Sequence, residues 1–399
     1  MRIVQINATC EHGSTGLVVK DIGTELERQG EESFYAYQSA KNSIPNGYQI
    51  GNVADWKRHA LLSRIFGKQA YFSKGATKKL IKWLKEIKPD IVHLHNLHSN
   101  YIHLNMVLKY LADADIPTVI TLHDCWFFTG KCYHYIDKGC QGFIDGCKGC
   151  RDKKGAPISW IFNRAEDVYR DRVKYITAIK SLKVVGCSEW ISNEAQKGFL
   201  KNCDVRMIRN GVNVDIFKPQ DKHELKIKHG YKNKFVVLGI AQKLMSPLNE
   251  ELMEKLVNSL DSDSVFLVIG CSEQQKQMLS RYGDKIVAKG FVEHRHEMAE
   301  YYSMADVFAN PSHADTLPTV SMESICCGTP VVTYNNSGCP ELILASCGIV
   351  VEDRNADEFV KAVNSVRYTE YNCAEIGRAN FDKNRLACQY VDLYKQMLN

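Results

Sequence analysis

Nine short apolar runs, none alternating between apolar and polar residues, constrain this chain more than any other feature. They fall at residues 3–6, 91–94, 118–122 and 184–187, and then at 235–240, 265–269, 307–309, 331–333 and 349–351. A strand with one solvated face alternates. Runs of three to six residues between segments of helical period read instead as parallel strands covered by helices on both faces. The pattern occurs twice, so an α/β chain with two domains is expected, and 399 residues exceed what one hydrophobic core usually organises. Between the halves, residues 208–219 read IRNGVNVDIFKP, with a turn at Asn210-Gly211 and a stop at Pro219. The junction is placed there, giving domains over residues 1–207 and 208–375. A last helical segment carries Leu386, Tyr390, Leu393 and Met397 at helical spacing and fits packing on either domain.

Composition excludes several classes. Hydrophobic residues at 45% and charged residues at 24% suit a globular chain, and a net charge of +5 is too small to imply nucleic acid. No apolar run approaches a membrane span, and MRIVQINATC enters a strand without signal-peptide anatomy, so a cytoplasmic protein is expected. Fifteen cysteines, an odd number, favour free thiols or a metal over a disulfide framework.

Residues 313–332, HADTLPTVSMESICCGTPVV, concentrate the chemistry. Pro318 suits the first turn of a helix that Gly328 and Pro330 end, which puts Glu323 one turn in and Asp315 in the loop before. Free amides at that helix start, around Leu317 to Val320, then offer a site for a diphosphate, with Thr316, Leu317, Pro318 and Thr319 the candidate donor-binding residues, while the two carboxylates can accept from sugar hydroxyls. The same two acids also fit a solvated loop residue with a helix-surface residue, or the acid and base of a glycoside hydrolase. Gly13 and Gly16, between the first strand and a helix with the stripe Val19, Ile22 and Leu26, permit close approach of backbone to phosphate, or merely a tight turn. His123 and Asp124 follow Leu122 at a strand's carboxyl end, where ligands bind in parallel sheets. His93, His95 and His98 read either as site residues or as hydrogen-bonded scaffold.

Cys132, Cys140, Cys147 and Cys150 give C-x7-C-x6-C-x2-C, whose last pair has zinc-ligand spacing; free thiols or a local disulfide are the alternatives. Lys57, Arg58, Arg64, Lys68, Lys74, Lys78, Lys79, Lys82, Lys85 and Lys88 stand against one acid, Glu86, and alternate with aromatic and aliphatic residues. Such a segment is either a solvated face or a surface for anionic lipid.

The stretch NPSHADTLPTVSMESICCGTPVVTYNNSGCPELI resembles the signature segment of family-4 glycosyltransferases. Similarity continues through NATCEHGSTGLVVKDIGTEL, DIVHLHNLHSNYI, TVITLHDCWFFTG and KGFVEHRHEMAEYY, and is greatest to a subgroup of bacterial capsular and exopolysaccharide assembly. The resemblance implies the GT-B fold, two Rossmann-like doubly wound domains facing a cleft, with residues from about 376 to 399 packing back on the first. It implies a retaining enzyme that uses a UDP- or GDP-sugar, requires no divalent ion, and acts on a glycan or lipid-linked oligosaccharide at the inner face of the plasma membrane. By the same resemblance, Asp315 orients the donor sugar in place of the family's glutamate, and Glu323 binds ribose. His123 lies near the reacting carbon, Phe291 and Val292 meet the base, and Gly338 allows close approach. One departure stands out. Where many members place an arginine and a lysine on the diphosphate, GIAQKLMSPLNEEL offers Lys243 followed by Pro247 and Leu248, and Arg209 is the candidate substitute. A binding subunit without turnover is the alternative that this departure supports.

Overall fold

The computed structural model describes residues 1–344 and 346–399. Its contacts divide the chain into two units, residues 1–209 with 384–399, and residues 210–383.

The first unit contains seven parallel strands: β1 (Arg2–Cys10), β2 (Glu32–Ala40), β3 (Gly47–Gln49), β4 (Ile91–Leu94), β5 (Thr118–Leu122), β6 (Leu182–Gly186) and β7 (Asp204–Met207). Their order is β3-β2-β1-β4-β5-β6-β7. The chain leaves β1 in one direction as far as β3 and returns to the other side of β1 at β4. This reversal creates a switch point between β1 and β4, where the loops at the strands' carboxyl ends part. The sheet is buried because helices cover it. Gly13–Arg28 packs Val18, Ile22 and Leu26 onto Ile3, Ile91, Val119 and Val185. The terminal helix Lys383–Leu398 adds Tyr390, Val391, Leu393 and Tyr394 to the same core. Each such side chain removed from water contributes about 1.5–3 kcal/mol.

The second unit holds β8 (Phe235–Ile240), β9 (Ser264–Ile269), β10 (Ile286–Ala288), β11 (Val307–Asn310), β12 (Val331–Tyr334) and β13 (Gly348–Val351). All are parallel, in the order β10-β9-β8-β11-β12-β13, with the switch point between β8 and β11. The helix Cys373–Phe381 belongs to this unit. A Cβ on its Gly377 would come within 3.0 Å of the Cys326 backbone, so glycine lets it lie directly on the helix Thr319–Cys326. The chain rejoins the first unit at Asn384.

Two doubly wound parallel sheets are what the repeated pattern predicts. The sequence reading does not include β2, β3, β7 and β10, which are short or partly exposed. Among the described residues, no helix is long and apolar enough to cross a membrane.

Candidate functional site

In the second unit the candidate residues converge on the carboxyl ends of β8 and β11. The short helix Ala241–Leu244 after β8 carries Lys243, and the loop after β11 carries Asp315 and Thr316. Lys243 Nζ donates to Asp315 Oδ2 at 2.7 Å and to Ser312 Oγ at 3.3 Å. The expected phosphate cation and the expected sugar-binding acid are therefore one ion pair. Asp315 is fixed further: its Oδ1 accepts from the Leu317 amide at 3.3 Å, and its carbonyl accepts from the Gly338 amide at 3.0 Å.

Asn249, which the sequence reading passes over, holds both loops. Its side chain is fully buried; Nδ2 donates to the carbonyls of Lys243 and Pro311, each at 2.9 Å, and Oδ1 faces His313 Nε2 at 2.8 Å. His313 in turn meets Asp353 through Nδ1 at 2.9 Å and lies on the Tyr334 ring. Two backbone strands so clamped leave Lys243 and Asp315 little freedom.

The helix begins one residue later than the sequence suggests. Pro318 takes the cap position with ψ of 104°, and the helix runs Thr319–Cys326. The Ser321 amide turns back to the Pro318 carbonyl at 3.0 Å, which leaves the amides of Thr319 and Val320 ahead of the first ladder bond. Beside them Leu317 is buried, and the buried hydroxyl of Thr316 has no hydrogen-bond partner. Glu323 is no solvated surface acid. Burial raises its carboxyl to about 7, while the Arg295 charge and the Tyr302 hydroxyl, 3.3 Å away, pull in the opposite direction. Arg295 is a second residue that sequence reasoning missed, although it lies in a segment already singled out. Phe291 is 85% exposed in the segment after β10, and Val292 is half-buried.

In the first unit, Gly13 starts its helix at φ +68°, and a Cβ on Gly16 would stand 2.8 Å from Thr9 Oγ1. The approach Gly16 permits in this structure is of its helix to the end of β1. Arg209, half-buried, is the last residue before the division between units.

At the ends of β4 and β5, Gln5 and two histidines, His95 and His123, form a directional chain. Gln5 Nε2 donates to the Val19 carbonyl at 2.9 Å, so its Oε1 is the atom facing His95 Nε2 at 3.3 Å. His95 must donate there. Burial keeps His95 neutral, so its Nδ1 accepts, and the donor 3.1 Å away is His123 Nε2. His123 is left with a lone pair on Nδ1, a buried atom without a partner. Burial depresses His123 to about 4, which keeps it neutral near pH 7. His93, bonded to Tyr394 and Thr121, is scaffold. His98 meets Asp124 at 2.9 Å. Burial opposes the Asp124 charge, but His98 and the Trp126 amide hold the carboxyl below its usual range.

The zinc expectation is not met. Cys132, Cys140, Cys147 and Cys150 are free, and among the described residues no three metal-ligating side chains are grouped to hold an ion. Cys140 is exposed, whereas burial pushes the thiols of Cys132 and Cys147 up to about 11. The basic stretch forms two helices, Val53–Phe66 and Lys74–Ile87. The second buries Ala76, Thr77, Leu80 and Leu84 and exposes Lys74, Lys78, Lys79, Lys82 and Lys85.

Comparison with known proteins extends these observations. The family model described as Glycosyltransferase Family 4 matches residues 15–216, more than half of the chain, and that described as Glycosyl transferases group 1 matches residues 248–382. The chain is 21% identical to WcaC of Escherichia coli K12, a glycosyl transferase whose name places it in colanic acid biosynthesis, over the whole of both chains. It is 25% identical to the uncharacterized glycosyltransferase MJ1607 of Methanocaldococcus jannaschii, over 96% of this chain and 94% of the relative. Among solved structures, sucrose-phosphate synthase from Thermosynechococcus elongatus superposes with a TM-score of 0.70 at 14% identity, covering 99% of this chain and 98% of that one. Anabaena Alr3699/HepE, in complex with UDP and glucose, superposes with a TM-score of 0.67 at 16% identity, covering 99% of each.

Proposed function

Since the chain belongs to glycosyltransferase family 4, has the GT-B fold and is a glycosyltransferase, we propose that it moves a sugar from a nucleoside-diphosphate donor to a hydroxyl of a glycan or lipid-linked oligosaccharide, with retention at the anomeric carbon. The bond from the anomeric carbon to the diphosphate oxygen breaks, and a bond to the acceptor oxygen forms on the same face. The acceptor proton passes to the departing diphosphate. No protein nucleophile and no metal takes part in that balance.

The observation that carries this reading is the grouping of Lys243 and Asp315 as an ion pair in the second unit with an amide-bearing helix start and the half-buried Glu323. The amides and Lys243 suit a diphosphate, and Asp315 a sugar hydroxyl. Glu323 suits the ribose hydroxyls, with Arg295 at hand to favour its charged form. Phe291, exposed as it is, is free to lie against a base, with Val292 beside it. His123, presenting a neutral acceptor nitrogen, suits a hydroxyl of the transferred sugar. Gly13, Gly16 and Arg209 complete the proposed donor contacts. Likeness to WcaC supports a place in polysaccharide assembly, and the exposed lysines of Lys74–Ile87 support docking on anionic lipid at a cytoplasmic membrane face.

One observation favours a second reading. Lys243 is committed to Asp315, so a diphosphate must share or displace that carboxylate; a chain unable to do so would bind donor without turning it over. A thermal-shift series with UDP, GDP, ADP and their sugar conjugates, followed by transfer assays with the best donor, separates the two. A shift and a product establish the enzyme, a shift without product over a panel of glycan acceptors favours the binding subunit, and no shift rejects the donor site itself.

A further inference from the structure

Residues 158–162 read ISWIF, and four of the five are large apolar side chains in solvent. Ile158, Trp160, Ile161 and Phe162 are 42–55% exposed, as are Leu61 and Phe66 on the neighbouring helix Val53–Phe66. Phe66 and Phe162 join the segment and the helix end into one apolar patch. The Trp160 amide donates to the Arg64 carbonyl at 2.6 Å and the Phe162 amide to the Ile65 carbonyl at 3.2 Å, which lays the segment along the helix end. Phe66 and Phe162 stack with their planes within 6°. A monomer seldom leaves such a patch in water without a use for it.

The segment is anchored through Ser159 and at the helix cap. Lys131, itself buried, donates to the Asp152 carbonyl at 2.7 Å and to Ser159 Oγ at 3.0 Å. At Gly67, φ +64°, a Cβ would lie 2.1 Å from the Phe162 carbonyl oxygen, so the segment sits directly on the helix cap. Its charges select the partner. Residues 57–68 and 158–164, which build the patch, contain Lys57, Arg58, Arg64, Lys68 and Arg164 and no carboxylate; the nearest acids in sequence are Asp55, Glu166 and Asp167, of which Asp167 pairs with Lys68 at 3.9 Å and with Arg164 at 3.6 Å and leaves the cations in excess. Two of the cations lie over the exposed rings, Arg64 5.7 Å from the Trp160 centroid and Arg164 5.5 Å from that of Phe162. Apolar and aromatic tips ringed by cations match the boundary of an anionic bilayer, where the rings enter the headgroup layer and the cations meet phosphate.

We propose that Trp160, Ile161 and Phe162, continued by Phe66, are a membrane-inserting wedge that seats the first unit in anionic lipid. This rests on the reading above that the protein works at a lipid surface, and adds to the lysine face an element that enters the bilayer. It predicts binding that persists in part at high salt, which a purely electrostatic contact does not.

The test is flotation of the full chain with vesicles of phosphatidylcholine and phosphatidylglycerol, compared with phosphatidylcholine alone. It uses the parent, the triple variant Trp160→Ser, Ile161→Ser, Phe162→Ser, and a Lys78→Glu, Lys79→Glu variant. The triple variant, with unchanged melting and nucleotide binding, is expected to bind the anionic vesicles about a hundredfold more weakly, as three large side chains lose a share of their water-excluded area. Tryptophan emission of the parent is expected to shift to the blue on those vesicles, and Trp160→Phe to lose that shift while still binding, a readout that stands if the triple variant does not fold. If the triple variant binds like the parent while the lysine variant does not, the wedge is wrong and the electrostatic reading stands. If the parent binds no vesicle, both fail. A parent that is dimeric in solution, with a monomeric triple variant, would overturn the proposal in favour of an interface between copies.

Discussion

Replacing Glu323 by glutamine should stabilise the protein at the same time as it weakens donor binding, and the pH dependence of that stabilisation follows from where the carboxyl sits. Burial raises it from 4.5 in the unfolded chain to about 7 in the folded one. A group that holds its proton more tightly when folded gives its full relative stability below the unfolded value, and loses it as pH rises through the folded value. The shift of roughly 2.5 units corresponds to about 3 kcal/mol of ionisation cost by pH 8, and to under about 1 kcal/mol at pH 5. Glutamine keeps an oxygen to accept from the Tyr302 hydroxyl and never ionises. Urea unfolding at pH 5 and pH 8, followed on the transition of the second unit, should therefore show Glu323→Gln close to the parent at pH 5 and more stable by about 3 kcal/mol at pH 8. The same variant should bind the nucleotide about tenfold more weakly, because a charged acceptor for ribose hydroxyls has become a neutral amide. A stability difference that does not change between the two pH values, or a variant less stable at pH 8, would refute the placement of Glu323 in a desolvated site.

Gln5→Met removes the acceptor that orients His95, so the nitrogen NMR signature of His123 should change from a single Nε2-protonated form to a mixture of tautomers; an unaltered signature would break the chain as drawn. Asn249→Ala deletes three buried hydrogen bonds and should cost about 2–4 kcal/mol in denaturant unfolding, with transfer falling more than stability at the assay temperature explains. Lys243→Ala leaves Asp315 without its cation and should lower kcat more than it raises KM if the lysine acts on the departing diphosphate, whereas an effect on KM alone would make it a ground-state contact. Prolonged chelation should leave both melting and activity unchanged, since the four thiols around Cys147 do not gather as a metal site; a drop in melting temperature would show that they do when loaded.

Much of the fold was legible because buried parallel strands write themselves as unbroken apolar runs. FVVLGI and SVFLVI became β8 and β9, each among the most buried strands of the chain. The strands that escaped are edge or half-polar ones, such as DVRM and GYQ, whose residues face water too often to give a run. Candidate site residues were grouped by the sequence where neighbours in sequence stay neighbours in space, as with Asp315, Thr316, Leu317 and the helix after them. The Lys243–Asp315 pair spans 72 positions and the Gln5–His95 bond spans 90, so each partner carries its own local signal while nothing local announces the pairing. Asn249 shows the same limit: it reads as one polar residue in a loop, and its three bonds exist only because the ends of β8 and β11 are adjacent. The cysteines show a further limit: the last pair has zinc spacing, yet among the described residues no three metal-ligating side chains are grouped to hold an ion, and spacing alone did not separate free thiols from ligands.

The central claim is retained transfer from a nucleotide sugar, and it is tested most directly by incubating the protein with the donor that raises its melting temperature and a glycan acceptor, then reading the product by mass and by the proton coupling at the new anomeric centre. The account predicts a product heavier by one sugar, linked with the configuration the donor had, and formed more slowly by Glu323→Gln and Lys243→Ala at low donor concentration. Inverted configuration, or free sugar released at the same rate with and without acceptor, would contradict it.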